Sequence, residues 1–387
     1  NDILMTVFFF TVGLEIRREM KNGELSSLKK AMMPVIAAFG GVVAPALIFT
    51  AINHGSAAAS GWGIPTATDI AFAVGILSIL GDRVPVSLKV FLTALAIADD
   101  LIAILVVALF YGGTINFVLL SIAFVLIALV LLMNKLGEKR GWFYLVPAIA
   151  IWSLFYYAGI HSTMSGVVMA FLVPMTPRFN EAYFHRKRLQ YIRRLNEYNG
   201  IASTSSEFPN GPQRHCLRRL SAISRDSIGM SYRLEHALGP WVNFLIMPIF
   251  ALANAGVEIP DVSYFNVFQF DQVLGSVSMG IFLGLVLGKP LGISLASFIA
   301  VKLHVGEMPA KSSWPMLIAV ACLGGIGFTM SIFVDTLSFG DQTPEVMARL
   351  RDMGKVAVLM GSLFAGILGS VLINIIHGIE SRKAVKA

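Results

Sequence analysis

The chain is predicted to be an all-α polytopic membrane protein, and three observations in its sequence say so. Of 387 residues, 56% are apolar and only 14% charged, too little polar surface to keep a soluble globule of this size in water. Apolar runs of about twenty residues recur between Gly, Pro and charge clusters, the pattern of spanning helices and not of the short alternating strands of a barrel. Finally, Lys and Arg are shared unevenly among the connections.

In order, the candidate spans cover residues 3–16, 31–53, 64–80, 87–111, 115–133, 142–158, 161–175, 236–255, 272–300, 314–338 and 353–377. If they alternate across a bilayer, Arg17, Arg18, Lys21, Lys29 and Lys30 share a side with Arg83 and Lys89, and with Lys135, Lys139 and Arg140. The eleven cations from Arg178 to Arg233 fall there too, with Lys302, Lys311, Arg382, Lys383 and Lys386. By the positive-inside rule this side is cytoplasmic and the C-terminus lies inside. The opposite loops, 54–63, 111–115, 157–161 and 255–271, carry no Lys or Arg; only Arg349, Arg351 and Lys355 break the pattern. The net charge of +7 is then a topology signal, with anionic lipid as the expected neighbour and no case for nucleic acid. The chain opens on Asn1 without a signal peptide and is apolar from Ile3, so at least one earlier helix is expected to precede it.

Three parts follow: N-terminal spans in 1–175, a basic connection over 176–235, and C-terminal spans in 236–387. In the connection, EAYFHRKRLQYIRRLNEY places Phe184, Tyr191, Ile192 and Leu195 at helical spacing among cations, the pattern of an interfacial amphipathic helix. The following STSSEFPNGPQ reads as linker. Cys216 and Cys322 form no framework, and the seven histidines lack metal-ligand spacing. No enzyme activity and no organic cofactor are suggested.

The chemistry lies in the spans. Asp99 and Asp100 are adjacent within LKVFLTALAIADDLIAILVVALFY. An ionised Asp at a helix centre costs roughly 2.5–3.5 kcal/mol on insertion scales, and neighbouring carboxylates repel, so the pair needs a cation or a proton. Thr66, Thr68 and Asp69 interrupt GIPTATDIAFAVGILSIL, and Gly324, Gly325 and Gly327 interrupt CLGGIGFTMSIFVDTL ahead of Thr329 and Ser331. Both spans are expected to break at mid-membrane. Each break leaves backbone groups unpaired, positive at N-termini and negative at C-termini. Asp69 is placed to offset N-terminal ends, and Lys289, in LGLVLGKPLGISLASF, to offset C-terminal ends.

Four ionisable residues in three spans would cost on the order of 10 kcal/mol if isolated, so they must converge. Adjacent helix residues point about 100° apart; one aspartate therefore pairs with Lys289 while the other faces a wet funnel. Two triples of spans, 31–111 and 272–377, each carry the break in the middle member and run antiparallel, the inverted-repeat layout of secondary transporters. Small cations and protons would then exclude one another at Asp99 and Asp100. The rival is a sodium-coupled organic anion symporter on a similar fold, which needs a larger polar pocket than the Ala, Ile and Leu around Asp100 provide.

The chain resembles the NhaA sodium/proton antiporters of bacteria. The resemblance is carried in order by VFFFTVGLEIRREM, IPTATDIAFAVGILSILG, KVFLTALAIADDLIAI, GIHSTMSGVV, FALANAGV, GKPLGI and GIGFTMSIF. It implies an NhaA-like fold, a core of two inverted triples beside a panel that mediates dimerisation, so a homodimer is expected. It implies electrogenic, pH-regulated exchange with Asp100 as principal sodium ligand and Asp99 in proton exchange and a salt bridge to Lys289. Thr68 and Asp69 would belong to the broken-helix assembly. Glu15, Arg18, Glu19, Glu235 and His236 match pH-sensing positions at the cytoplasmic mouth, and His161 matches a position associated with pH response. The chain departs from the pattern in LEHALGPW, with Gly239 where relatives can carry a second histidine, and in the length of the basic stretch 176–232.

Overall fold

A computed structural model describes residues 2–112, 115–179, 181–201, 209–257, 267, 275–310, 312–340 and 342–386. Helices occupy all eleven apolar runs: α1 (Asp2–Asn22), α2 (Leu28–Ile52), α3 (Ile70–Leu80), α4 (Val86–Phe110), α5 (Phe117–Lys135), α6 (Trp142–Ala158) and α7 (Thr163–Leu172). Then come α8 (Glu181–Ile201), α9 (Gly211–Asp226), α10 (Met230–Trp241), α11 (Met247–Asn254), α12 (Val277–Leu283), α13 (Lys289–Lys302), α14 (Trp314–Leu323), α15 (Phe328–Leu337) and α16 (Pro344–Lys386). The fold is all-α, and among the described residues six helices are long and apolar enough to cross a membrane. Two further spans qualify only as bent pairs: the 3-10 segment Ala57–Thr66 with Ile70–Arg83, turned by 41°, and Trp314–Leu323 with Phe328–Leu337, turned by 50°.

These bends have a sequence cause. Pro65 ends the first segment and the glycines 324, 325 and 327 end α14, because proline lacks a donor and glycine weakens a helix interior. Lys289 starts α13 directly after a π-helical stretch, Gly284–Gly288, a local widening of the kind found at functional sites. A second π turn, Val242–Ile246, joins α10 to α11.

Around the breaks, α2 and α13 pack through glycine. A Cβ on Gly292 would lie 2.1 Å from the Gly40 carbonyl oxygen, and one on Gly40 would lie 2.4 Å from the Gly292 oxygen. With no hydrophobic drive between helices in lipid, such backbone approach supplies the attraction. Phe49, Ile64, Ile97, Leu285 and Met330 belong to one buried cluster beside the crossing, and Leu77, Leu95, Ile293 and Leu323 to a second. A third cluster, with Leu14, Tyr144, Ile151 and Met169, holds α1, α5, α6 and α7 together.

Several boundaries differ from expectation. The last helix begins at Pro344, nine residues before the predicted 353, so Arg349, Arg351 and Lys355 lie on a helix and not in a loop. The predicted helix in the basic connection forms as α8, with Phe184, Tyr191 and Leu195 partly covered and Ile192 exposed. Of the predicted linker, 203–208 lies outside the described residues, and the final residues open α9. Asn210 caps that helix: its side chain accepts from Gln213 N (3.0 Å) while its own N–H donates to Gln213 Oε1 (2.8 Å), a capping box written in the sequence as Asn-x-x-Gln. The predicted loop 255–271, the start of the span 272–300, and Lys311 fall largely outside the described residues.

Candidate functional site

The two breaks cross and hold each other. Asp69 N–H donates to the Ile326 carbonyl (2.7 Å), joining backbone to backbone. Asp69 is the N-cap of α3 and accepts from Phe72 N–H (3.3 Å). Its second oxygen accepts from Thr329 N–H (3.1 Å) and from the Thr329 hydroxyl, in the first turn of α15. One carboxylate therefore closes the N-termini of both half-helices, where unpaired N–H groups and the helix dipoles favour negative charge. Ser362 on α16 completes the second cap, its Oγ accepting from Gly327 N–H (3.2 Å) and Phe328 N–H (3.0 Å).

Lys289 reaches the crossing from the start of α13. Its ammonium is fully buried and donates to Asp99 Oδ2 at 2.5 Å and to the Thr68 hydroxyl. Thr68 in turn donates to the Gly324 carbonyl (2.8 Å), at the C-terminal end of α14. The sequence predicts that Lys289 offsets a C-terminal helix end; here Thr68 stands between its ammonium and the Gly324 carbonyl at the end of α14. A hydroxyl serves because it donates and accepts at once.

Asp100 stands beside this pair with 1% of its surface exposed. Among the described residues it makes no ion pair, and Oδ1 of both Asp99 and Asp100 has no hydrogen-bond partner. Buried acceptor oxygens without donors suit a small hard cation or a proton, because oxygen ligands are what such ions take.

Of the remaining sequence candidates, four form one cluster. Arg18 pairs with Glu235 of α10, with Glu19 (3.1 Å) and with Glu15 (3.8 Å). His236 is exposed and lies against the Tyr232 ring, centroids 4.1 Å apart. His161 is not in this cluster; it precedes α7, its Nε2 2.6 Å from the Tyr111 carbonyl oxygen at the end of α4. Sequence reasoning missed Ser362 and Asp335. Ser362 is one serine in an apolar helix, with nothing local to mark it as a cap for a distant chain segment. Asp335 did carry a signal, an acid at the end of an apolar run.

A helical membrane protein whose two bent spans cross over a buried Asp–Lys pair is the class that this fold and site define. The model of the family described as Na+/H+ antiporter 1 matches residues 1–373, and the chain belongs to that family. It is similar to the Na(+)/H(+) antiporter NhaA of Syntrophobacter fumaroxidans, 42% identical over 95% of this chain and 76% of that protein. It is also similar to the proteins of the same name from Oleidesulfovibrio alaskensis, 42% identical over 99% of this chain and 82% of that one, and Acidithiobacillus ferrooxidans, 44% identical over 95% and 82%.

Proposed function

We propose that the chain exports sodium or lithium in exchange for protons across a bacterial inner membrane, by competition at Asp99 and Asp100. The observation that carries this reading is the unpaired Asp100 carboxylate beside the Asp99–Lys289 pair, at a crossing of two broken helices. A cation entering there meets two carboxylates whose charge is only half offset by one ammonium. A proton on either carboxyl removes that attraction, so ion and proton exclude each other, and coupling follows from the exclusion. The family resemblance carries the further expectation of an electrogenic cycle, in which more protons enter than sodium ions leave.

The two triples, 31–111 and 272–377, would rock as inverted repeats and expose the site alternately, with the membrane parts 1–175 and 236–387 joined by the basic segment 176–235. The C-terminus and that segment face the cytoplasm, where anionic headgroups attract cations. The Arg18 cluster with Glu15, Glu19 and Glu235, together with His236 and His161, would set the pH response. The panel of α1, α5, α6 and α7 would meet a second copy in a homodimer. Organic-anion symport is disfavoured by the apolar surroundings of Asp100, and the chemistry proposed is transport without an enzymatic step or organic cofactor.

The test is sodium-driven dequenching of a pH dye in acid-loaded proteoliposomes, with the intact protein against Asp99→Asn and Asp100→Asn. Sodium-dependent proton movement that disappears in both variants supports antiport through the pair; movement that survives both removes it.

A further inference from the structure

Asp335 lies on α15, on the far side of the break from α14. Six residues separate it from Thr329, about 9 Å along a helix. Its side chain is fully buried, and neither carboxylate oxygen has a hydrogen-bond partner among the described residues. Gly354 of α16 makes the room: a Cβ there would fall 2.2 Å from Asp335 Oδ1. Ser331, one turn nearer the break on the same face, is also fully buried with an unpartnered hydroxyl.

The charged groups that act on Asp335 are Lys355, Arg351 and Asp352, all on α16. Tyr111, at the end of α4, faces it as well. Of the other segments packed on α15, Ala57–Thr66 and α11 bring no charged side chain among the described residues, whereas Asp69 meets it at Thr329, and α1, whose Phe9 ring lies 5.4 Å from that of Phe333, carries Asp2, Glu15, Arg17, Arg18, Glu19 and Lys21. Among the described residues neither Lys355 nor Arg351 closes an ion pair with Asp335. Lys355 donates to the Gly256 carbonyl (3.3 Å) and pairs with Asp352 (3.4 Å), and Arg351 donates to the Ser338 carbonyl (3.2 Å) while its Nε is buried without a partner.

Burying an ionised carboxylate without a donor is costly, whereas the protonated acid does not carry that penalty. Lys355 and Arg351, the cations whose charge acts on Asp335 from α16, supply the alternative state. We propose that Asp335 is a second proton-binding carboxyl, holding its proton in this conformation and releasing it on pairing with Lys355 or Arg351. Its part in exchange rests on the antiport reading above; its protonation does not.

Infrared difference spectroscopy of the full chain in liposomes, titrated with pH, reads the proton directly. The C=O stretch of a protonated carboxylic acid should be present, be lost in Asp335→Asn, and persist in Asp100→Asn. A spectrum unchanged by Asp335→Asn overturns the proposal. If that variant fails to assemble, Lys355→Gln decides: removing the cation should change the pH at which the Asp335 band is lost, and an unmoved titration overturns it. Sodium-driven proton flux in the same liposomes separates the two readings, because a chain without exchange but with the Asp335 band loses the transport reading alone.

Discussion

Asp69 and Thr329, far apart in the sequence, meet through two hydrogen bonds to one carboxylate oxygen, which ties the N-terminus of α15 to the N-cap of α3. The bond between two spans and the caps of both are a single interaction, so its loss is felt twice.

Asp69→Ala should destabilise the protein by about 2–4 kcal/mol, since it leaves the buried N–H of Thr329 and the N–H of Phe72 without an acceptor. Asp69→Asn keeps an acceptor oxygen and should lose less. Thermal unfolding in detergent checks both, and an Ala variant melting with the parent would contradict the shared cap.

Lys289→Met removes the partner of Asp99 and leaves a buried charge, a loss of roughly 3–5 kcal/mol. Adding Asp99→Asn should restore much of it. A double-mutant cycle on unfolding measures the coupling, and strictly additive effects would mean that the 2.5 Å contact contributes nothing.

Ser362→Ala should cost about 1–2 kcal/mol by uncapping α15 at Gly327 and Phe328, while leaving sodium affinity unchanged. Isothermal titration with sodium, beside the melt, separates a cap from an ion ligand.

Gly292→Ala should destabilise by about 1–3 kcal/mol, because its Cβ collides with the backbone of α2 and cannot be accommodated by a rotamer change. Gly75→Ala is the control. Nothing lies within 4 Å of a Cβ there, and Ala is the better helix former by about 1 kcal/mol, so that variant should melt at or above the parent temperature.

Arg18→Gln removes the cation that three carboxylates share and that opposes the upward push of burial on the Glu235 carboxyl, which without it holds its proton to higher pH. The pH profile of exchange should move to the alkaline side, and the charge reversal Arg18→Glu with Glu235→Arg should bring it part of the way back. Profiles that coincide would exclude this cluster from the pH response.

The helices themselves were legible because each signal is local: an apolar run long enough to span, closed by charge, proline or glycine. The same holds for both breaks and for the expense of Asp69, Asp99, Asp100 and Lys289, since the cost of an intramembrane charge depends on the solvent and hardly on the partner. What a local signal cannot state is a distance across the fold. That Thr68 relays the Lys289 charge to Gly324, that Ser362 caps a helix 34 residues away, and that Asp335 lacks a partner while Lys355 and Arg351 stand near it depend on how α3, α13, α15 and α16 are packed. Lipid gives helices no hydrophobic reason to choose one neighbour over another, so the choice falls to glycine contacts and buried hydrogen bonds, and these exist only once the whole chain has folded. The sequence alone determined that the charges must find one another; the tertiary structure decided which atoms meet.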